Sequence, residues 1–144
     1  AGALIQDVNN TKSSIENING KDNLKKDKVD FFINILKYIK SNAIALFDQD
    51  GLISQSGGQT SRVDALQNCF YKFKLKHRNK KIKRLFLFSD AFFPFTDSLK
   101  FIKKQNINID IYAPMGSQND SKVRDYVKKN NLNFFMLSDR HFKH

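Results

Sequence analysis

At 144 residues the chain can bury one core, and 14 Phe with 4 Tyr supply apolar bulk despite a mean hydropathy of -0.52. No run of 18 apolar residues occurs, which excludes a spanning helix, and the opening AGALIQDVNN lacks the basic and apolar segments of a secretory signal. The net charge of +11 invites a nucleic-acid partner, but 20 of the 25 cations are Lys and 15 residues are Asn, a bias that fits solvated faces better than a phosphate-binding site.

Residues 9–28 are polar, with Ile15 and Ile18 as apolar anchors, and read as a surface connection. From Asp30 the spacing turns helical, with Phe31, Phe32, Ile35, Leu36 and Ile39 on one stripe. Ala43 to Phe47 reads as a strand, Asp50-Gly51 as a turn and Leu52-Ile53 as a second short strand. The loop from Ser54 to Thr60 leads into a helix whose inward residues are Val63, Leu66, Phe70 and Phe73. Cys69 lies on the apolar side of that helix and reads as core. As the only cysteine it excludes an internal disulfide and a cysteine-rich zinc centre, and it suits a reducing, cytoplasmic compartment. The helix runs into a basic stretch over 72–84, beside Phe70, Tyr71 and Phe73, without an RRM or KH signature.

Arg84 to Ser89 is apolar on both faces, as in a buried parallel strand. Pro94 is expected to open the next helix, with Leu99, Phe101 and Ile102 inward. Ile107 to Tyr112 follows as a strand. Gly116-Ser117 is expected to start a helix capped by Ser117 and Asp120, with Val123, Tyr126 and Val127 inward. Asn133 to Leu137 completes the strands. This alternation predicts a single α/β domain whose later strands are parallel.

In open α/β sheets ligands gather at the carboxyl ends of strands, and three unusual sequences fall there. Gly57-Gly58 precede a helix N-terminus, where backbone N–H groups can approach an anion. Three Phe residues crowd between Asp90 and Asp97, too many for one tight loop to bury easily, so some rings are candidates for stacking on a planar ligand. Arg140, after the last strand, carries a guanidinium suited to bidentate phosphate binding. No dinucleotide fingerprint, Walker loop, nucleophile elbow or metalloprotease helix occurs.

Five segments carry a resemblance: Lys40 to Ile44, Gly58 to Asp64, the run SDAFFPFTD from Ser89 to Asp97, Pro114 to Ser117, and Arg140-His141-Phe142 with His144. In this order and at this spacing they resemble the C-terminal part of the AICAR transformylase/IMP cyclohydrolase family. The resemblance implies that 1–144 is the second subdomain of the transformylase half, a cytidine-deaminase-like three-layer sandwich with a mixed, largely parallel sheet. The implied reaction moves a formyl group from 10-formyltetrahydrofolate to the amine of AICAR in purine biosynthesis. Carried over by motif, Asn42 is the catalytic residue holding the reacting groups, and Arg140 clamps the AICAR phosphate. Arg62 and Val63 line the folate side, Phe92, Pro94 and Phe95 flank the pterin, and Asp97 bonds its amino edge. A monovalent cation, potassium, is implied near Ser41, Asp90 and His144, although Ala43 lacks the hydroxyl expected there.

Other departures are Ser54 and Ser56 in place of glycines, and Thr96 in place of Arg. The family's Lys-His acid–base pair has no counterpart; Lys76-His77 stands in the wrong context. A partner subdomain and a homodimer are therefore implied to complete the site, with no membrane. The competing reading is a non-catalytic nucleic-acid-binding or dimerisation module using the 72–84 stretch.

Overall fold

Residues 14–77, 81–116 and 118–138 are described in a computed structural model of the chain. Three strands are buried at every position: β2 (Ile44–Phe47), β4 (Leu85–Ser89) and β5 (Ile109–Pro114). Such uniform burial requires cover on both faces of the sheet, which explains why these runs do not alternate with polar residues. With β1 (Ile15–Asn19), β3 (Leu52–Ser56) and β6 (Asn133–Leu137) they form one sheet in the order β1-β6-β5-β4-β2-β3. β4, β5 and β6 pair in parallel, whereas the β1–β6, β2–β4 and β2–β3 pairs are antiparallel. Four strands thus share one direction, and β1 and β2 oppose them, giving the expected mixed sheet.

Helices cover the two faces unequally. Helix α1 (Lys26–Lys37) packs Val29, Phe32 and Leu36 against Ala45, Phe47, Phe86, Phe88, Tyr112 and Phe135. The rings form two stacked groups, with centroids 4.1 Å apart for Phe32–Phe47, 4.6 Å for Phe88–Tyr112 and 4.8 Å for Tyr112–Phe135, joined edge-on between Phe47 and Phe88 at 5.4 Å. Burial pushes the Tyr112 hydroxyl pKa well upward, with Asp22 and Asp110 adding to the shift, so it stays protonated. On the opposite face lie α2 (Arg62–Lys76), α3 (Asp97–Lys104) and α4 (Asp120–Lys129). Leu66, Phe70, Leu99, Ile102, Val123 and Val127 pack there on Ile44, Leu87, Ile111 and Phe134. The result is a three-layer α/β sandwich. No helix among the described residues is long and apolar enough to cross a membrane.

Several boundaries differ from the sequence reading. The polar 9–28 connection contains β1, an edge strand that pairs Ile15 with Leu137 and Asn17 with Phe135 and buries Ile18. Helix α1 begins four residues earlier than Asp30, at Lys26, and β3 runs on to Ser56. Pro94 does not open α3; the chain turns through 91–96 and the helix starts at Asp97. Asn119 rather than Ser117 precedes α4, and Ser117 lies outside the described residues.

One charged group is fully buried in the sheet. Asp110 accepts hydrogen bonds from Arg84 Nη1 at 2.6 Å, Asn133 Nδ2 at 2.8 Å and Asn23 Nδ2 at 2.9 Å. These three donors compensate its desolvation and tie the segment before α1 to the amino ends of β4, β5 and β6. The opposite ends of the parallel strands are left for the site.

Candidate active site at the carboxyl ends of the parallel strands

Because β2 runs antiparallel to both β3 and β4, its first residue sits beside their last ones: Ile44 pairs with Ser56 and with Ser89. The segments entering β2 and leaving β3 and β4 therefore meet at one edge of the sheet. Gly57 permits that meeting. A Cβ on it would lie 2.5 Å from Ile39 Cγ2 and 2.9 Å from the Lys40 carbonyl oxygen, so only glycine lets the two segments touch. Gly58 follows at φ +68 and donates its N–H to the Lys40 carbonyl.

Helix α2 starts here with a side-chain cap, Ser61 Oγ accepting the Asp64 N–H at 3.0 Å. Its first residue, Arg62, turns inward, and its side chain is only 7% exposed. Arg62 Nη1 donates to Asp90 Oδ1 at 2.5 Å and to the Ala43 carbonyl at 3.0 Å, while Nη2 donates to Asn42 Oδ1 at 2.9 Å. Asp90 also accepts the Ala43 N–H at 3.1 Å and the Ser41 hydroxyl at 2.5 Å. Asn42 is fixed from its other end too, donating Nδ2–H to the Gln59 carbonyl at 2.9 Å. Three separate loops are thereby joined into one polar unit.

An amide carries two N–H groups and two lone pairs. The bonds to Arg62 and Gln59 use one of each, which fixes the plane of the Asn42 amide and leaves one N–H and one lone pair for a ligand. Its residue is half-buried, at the edge of this unit.

The three rings after Asp90 divide their roles. Phe93 is 2% exposed and plugs the core, whereas Phe92 is 38% and Phe95 61% exposed. Pro94 is half-buried, and its carbonyl accepts Asn119 Nδ2–H at 3.0 Å, which pins the turn to the start of α4. Asp97 and Val63 are exposed. The expected set thus falls into an inner group of Asn42, Arg62, Asp90 and Ser41 and an outer group of Val63, Phe92, Phe95 and Asp97. Arg62 belongs to the inner group, where its guanidinium holds Asp90 and Asn42. Arg140 and His144 lie outside the described residues.

Of the residues expected around a potassium ion, Ser41 and Asp90 are hydrogen-bonded to each other, Asp90 also pairs with Arg62, and Ala43 offers no side-chain oxygen. Both serines at expected glycine positions are buried: Ser54 Oγ donates to the Cys69 carbonyl at 2.8 Å, and Ser56 Oγ has no partner among the described residues. Cys69 is core, as its position on α2 implied. Burial pushes its thiol up to about 11, so it is no nucleophile near neutral pH.

The family described as the AICARFT/IMPCHase bienzyme matches residues 1–72, half of the chain. The chain belongs to this family. Its relatives include the bifunctional purine biosynthesis protein PurH of Buchnera aphidicola subsp. Baizongia pistaciae, 35% identical over 95% of this chain and 27% of that protein. The PurH proteins of Wigglesworthia glossinidia brevipalpis and Fusobacterium nucleatum are 32% and 31% identical over 99% of this chain, covering 27% and 28% of their own lengths. The chain therefore spans about a quarter of the length of these curated relatives. Within this AICARFT/IMPCHase chain the matched half contains Ser41, Asn42, Arg62 and Val63, and the aromatic turn lies beyond it. Sequence reasoning missed the Gln59 carbonyl and the Arg62–Asp90 ion pair. The only available signal was a lone Asp beside a fully apolar strand, which in a core must find a cation or several donors.

Proposed function

We propose that this chain supplies one wall of the formyl-transfer site of a bifunctional purine-biosynthesis enzyme, with 10-formyltetrahydrofolate as donor and AICAR as acceptor. The observation that carries the reading is the joining of Asn42, Arg62 and Asp90 into one hydrogen-bonded unit beside the exposed Phe92 and Phe95 rings, in a chain of this family. Transfer forms a bond between the AICAR amine nitrogen and the formyl carbon and breaks the bond from that carbon to the folate nitrogen. The attacking amine loses a proton and the folate nitrogen gains one.

The amine is a weak nucleophile because its lone pair is delocalised into the ring, so orientation and proton removal dominate catalysis. Asn42, with its amide plane fixed, orients the acceptor. Val63, Phe92, Pro94 and Phe95 form the folate side, and Asp97 bonds the pterin amino edge. Arg140 binds the AICAR phosphate by a charge-assisted pair. Acid–base chemistry comes from a Lys-His pair on another part of the enzyme, and a homodimer in the cytoplasm completes the site.

The test is tetrahydrofolate release from 10-formyltetrahydrofolate and AICAR. The purified 144-residue chain is expected to give no turnover, and to regain it when mixed with the segment that carries the Lys-His pair. Full turnover by the chain alone would overturn the shared-site reading.

A further inference from the structure

At the other end of the sheet from Asn42, the last turns of α2 and the segments entering β4 and β5 enclose a groove of about 740 Å³. Its floor is apolar, with Phe73, Ile82 and Ile107, and its walls add Tyr71 and Leu75, which are 64% and 53% exposed. Tyr71 and Leu75 stand four residues apart and so share one helix face. A helix of a self-contained domain normally gives that outer face to polar residues. His77 lies over Phe73 with ring centroids 5.6 Å apart and nearly parallel planes.

The charge around the groove is of one sign. Lys74 and Lys81 line it, and no Asp or Glu stands among the lining residues. Arg84 is neutralised by Asp110 and Lys72 donates to the Gln55 carbonyl, but neither Lys74 nor Lys81 forms an ion pair among the described residues. Exposed rings interleaved with unopposed cations match the two requirements of a single-stranded nucleic acid, unstacked bases and a phosphate backbone. A duplex offers the phosphates but keeps its bases stacked. An acidic peptide offers the charge but no planar groups for Tyr71 and His77.

We propose that this groove binds single-stranded RNA or DNA, independently of the formyl-transfer site. A strand neutralising roughly four phosphates would weaken about 50-fold between 50 mM and 200 mM salt. The experiment is fluorescence anisotropy of the protein with a labelled 12-nucleotide uridine strand, repeated with a duplex of equal length and with polyglutamate. Micromolar affinity for the single strand is expected, with duplex and polyglutamate at least tenfold weaker.

The Lys74→Glu/Lys81→Glu pair is expected to lower single-strand affinity at least 30-fold, and Tyr71→Ala about tenfold. A control pair of equal charge change on the α1 side, Lys21→Glu/Lys26→Glu, is expected to lower it less than threefold. Equal binding of all three polyanions, or equal losses from the two charge-reversed pairs, would mean that only net charge is being read and would overturn the proposal. Formyl transfer plays no part in the readout, so the two readings stand or fall separately.

Discussion

Replacing Asp90 by alanine is the most direct perturbation of the site. The pair it forms with Arg62 is buried, the two side chains being 7% and 4% exposed. The Asp90→Ala change removes at least three acceptor interactions at once: those of Arg62 Nη1, the Ala43 N–H and the Ser41 hydroxyl. It also leaves a guanidinium inside the protein with only the Ala43 carbonyl and Asn42 Oδ1 to hold it among the described residues. Breaking a buried pair from one side costs about 3–5 kcal/mol, because the abandoned charge cannot regain its hydration. Asp90→Asn keeps the shape and one acceptor and is expected to cost roughly half as much. Urea unfolding followed by circular dichroism measures both, and at a slope of about 2 kcal/mol per molar the alanine variant should lose roughly 2 M in midpoint. A loss below about 1 kcal/mol for Asp90→Ala is what an exposed pair would give, and it would refute the buried unit.

Further expectations follow from the same geometry. Phe93→Ala should cost about 3–5 kcal/mol of stability because its ring plugs the core, whereas Phe95→Ala should change stability by less than about 0.5 kcal/mol. The same Phe95 variant should weaken binding of a folate analogue about fivefold by calorimetry, through lost stacking. Asn42→Ala should leave the fold intact and lower formyl transfer by at least about 100-fold in the complete enzyme, through loss of orientation; activity within threefold of the parent would rule out its assigned role. Stability should also decline on the alkaline side. Between about pH 9 and about 11 the unfolded chain releases the Cys69 proton while the folded chain retains it. Folding therefore weakens as pH rises through that window, by up to about 3 kcal/mol. Cys69→Ala should reduce that slope, leaving the part that buried Tyr112 contributes, and identical slopes in both proteins would contradict the burial argument.

How much of this was legible in the sequence depended on the length scale of the interaction. Strands β4 and β5 and helix α2 announce themselves through continuous or helically spaced apolar residues, because local spacing reflects the face each residue buries. Strand β1 does not: it sits at the sheet edge, buries only Ile18, and is held by backbone bonds to β6 that leave no side-chain trace. The start of α3 differs for a similar reason. Pro94 suits a first helical turn, but a contact 25 residues away, from Asn119 to its carbonyl, accompanies a turn that delays the helix to Asp97. Asn42 and the aromatic turn were recognisable as motifs. Their connection through Arg62 was not, since Asp90 lies 28 residues from it and only the antiparallel placement of β2 brings them together.

A buried ion pair is weak evidence for stability, because well-packed neutral groups often serve as well. Stability and function can therefore be separated in one double variant, Arg62→Met with Asp90→Asn. Neither position is then charged, the carbonyl of the amide introduced at position 90 can still accept the Ala43 N–H, and Met fills most of the volume of the arginine stem. Unfolding measurements should place this variant within about 2 kcal/mol of the parent, less than the summed costs of Asp90→Asn and Arg62→Met alone, which is a favourable coupling between the two sites. Yet Asn42 has lost the donor that fixed its carbonyl oxygen, so its amide can rotate about the remaining bond to Gln59. Formyl transfer by the complete enzyme should fall at least about 100-fold although the fold is nearly restored, and the loss should appear in kcat more than in KM. A double variant that recovers both stability and turnover would show that the guanidinium serves only to fill and neutralise the core. The orientation of Asn42 would then have to come from Gln59 alone.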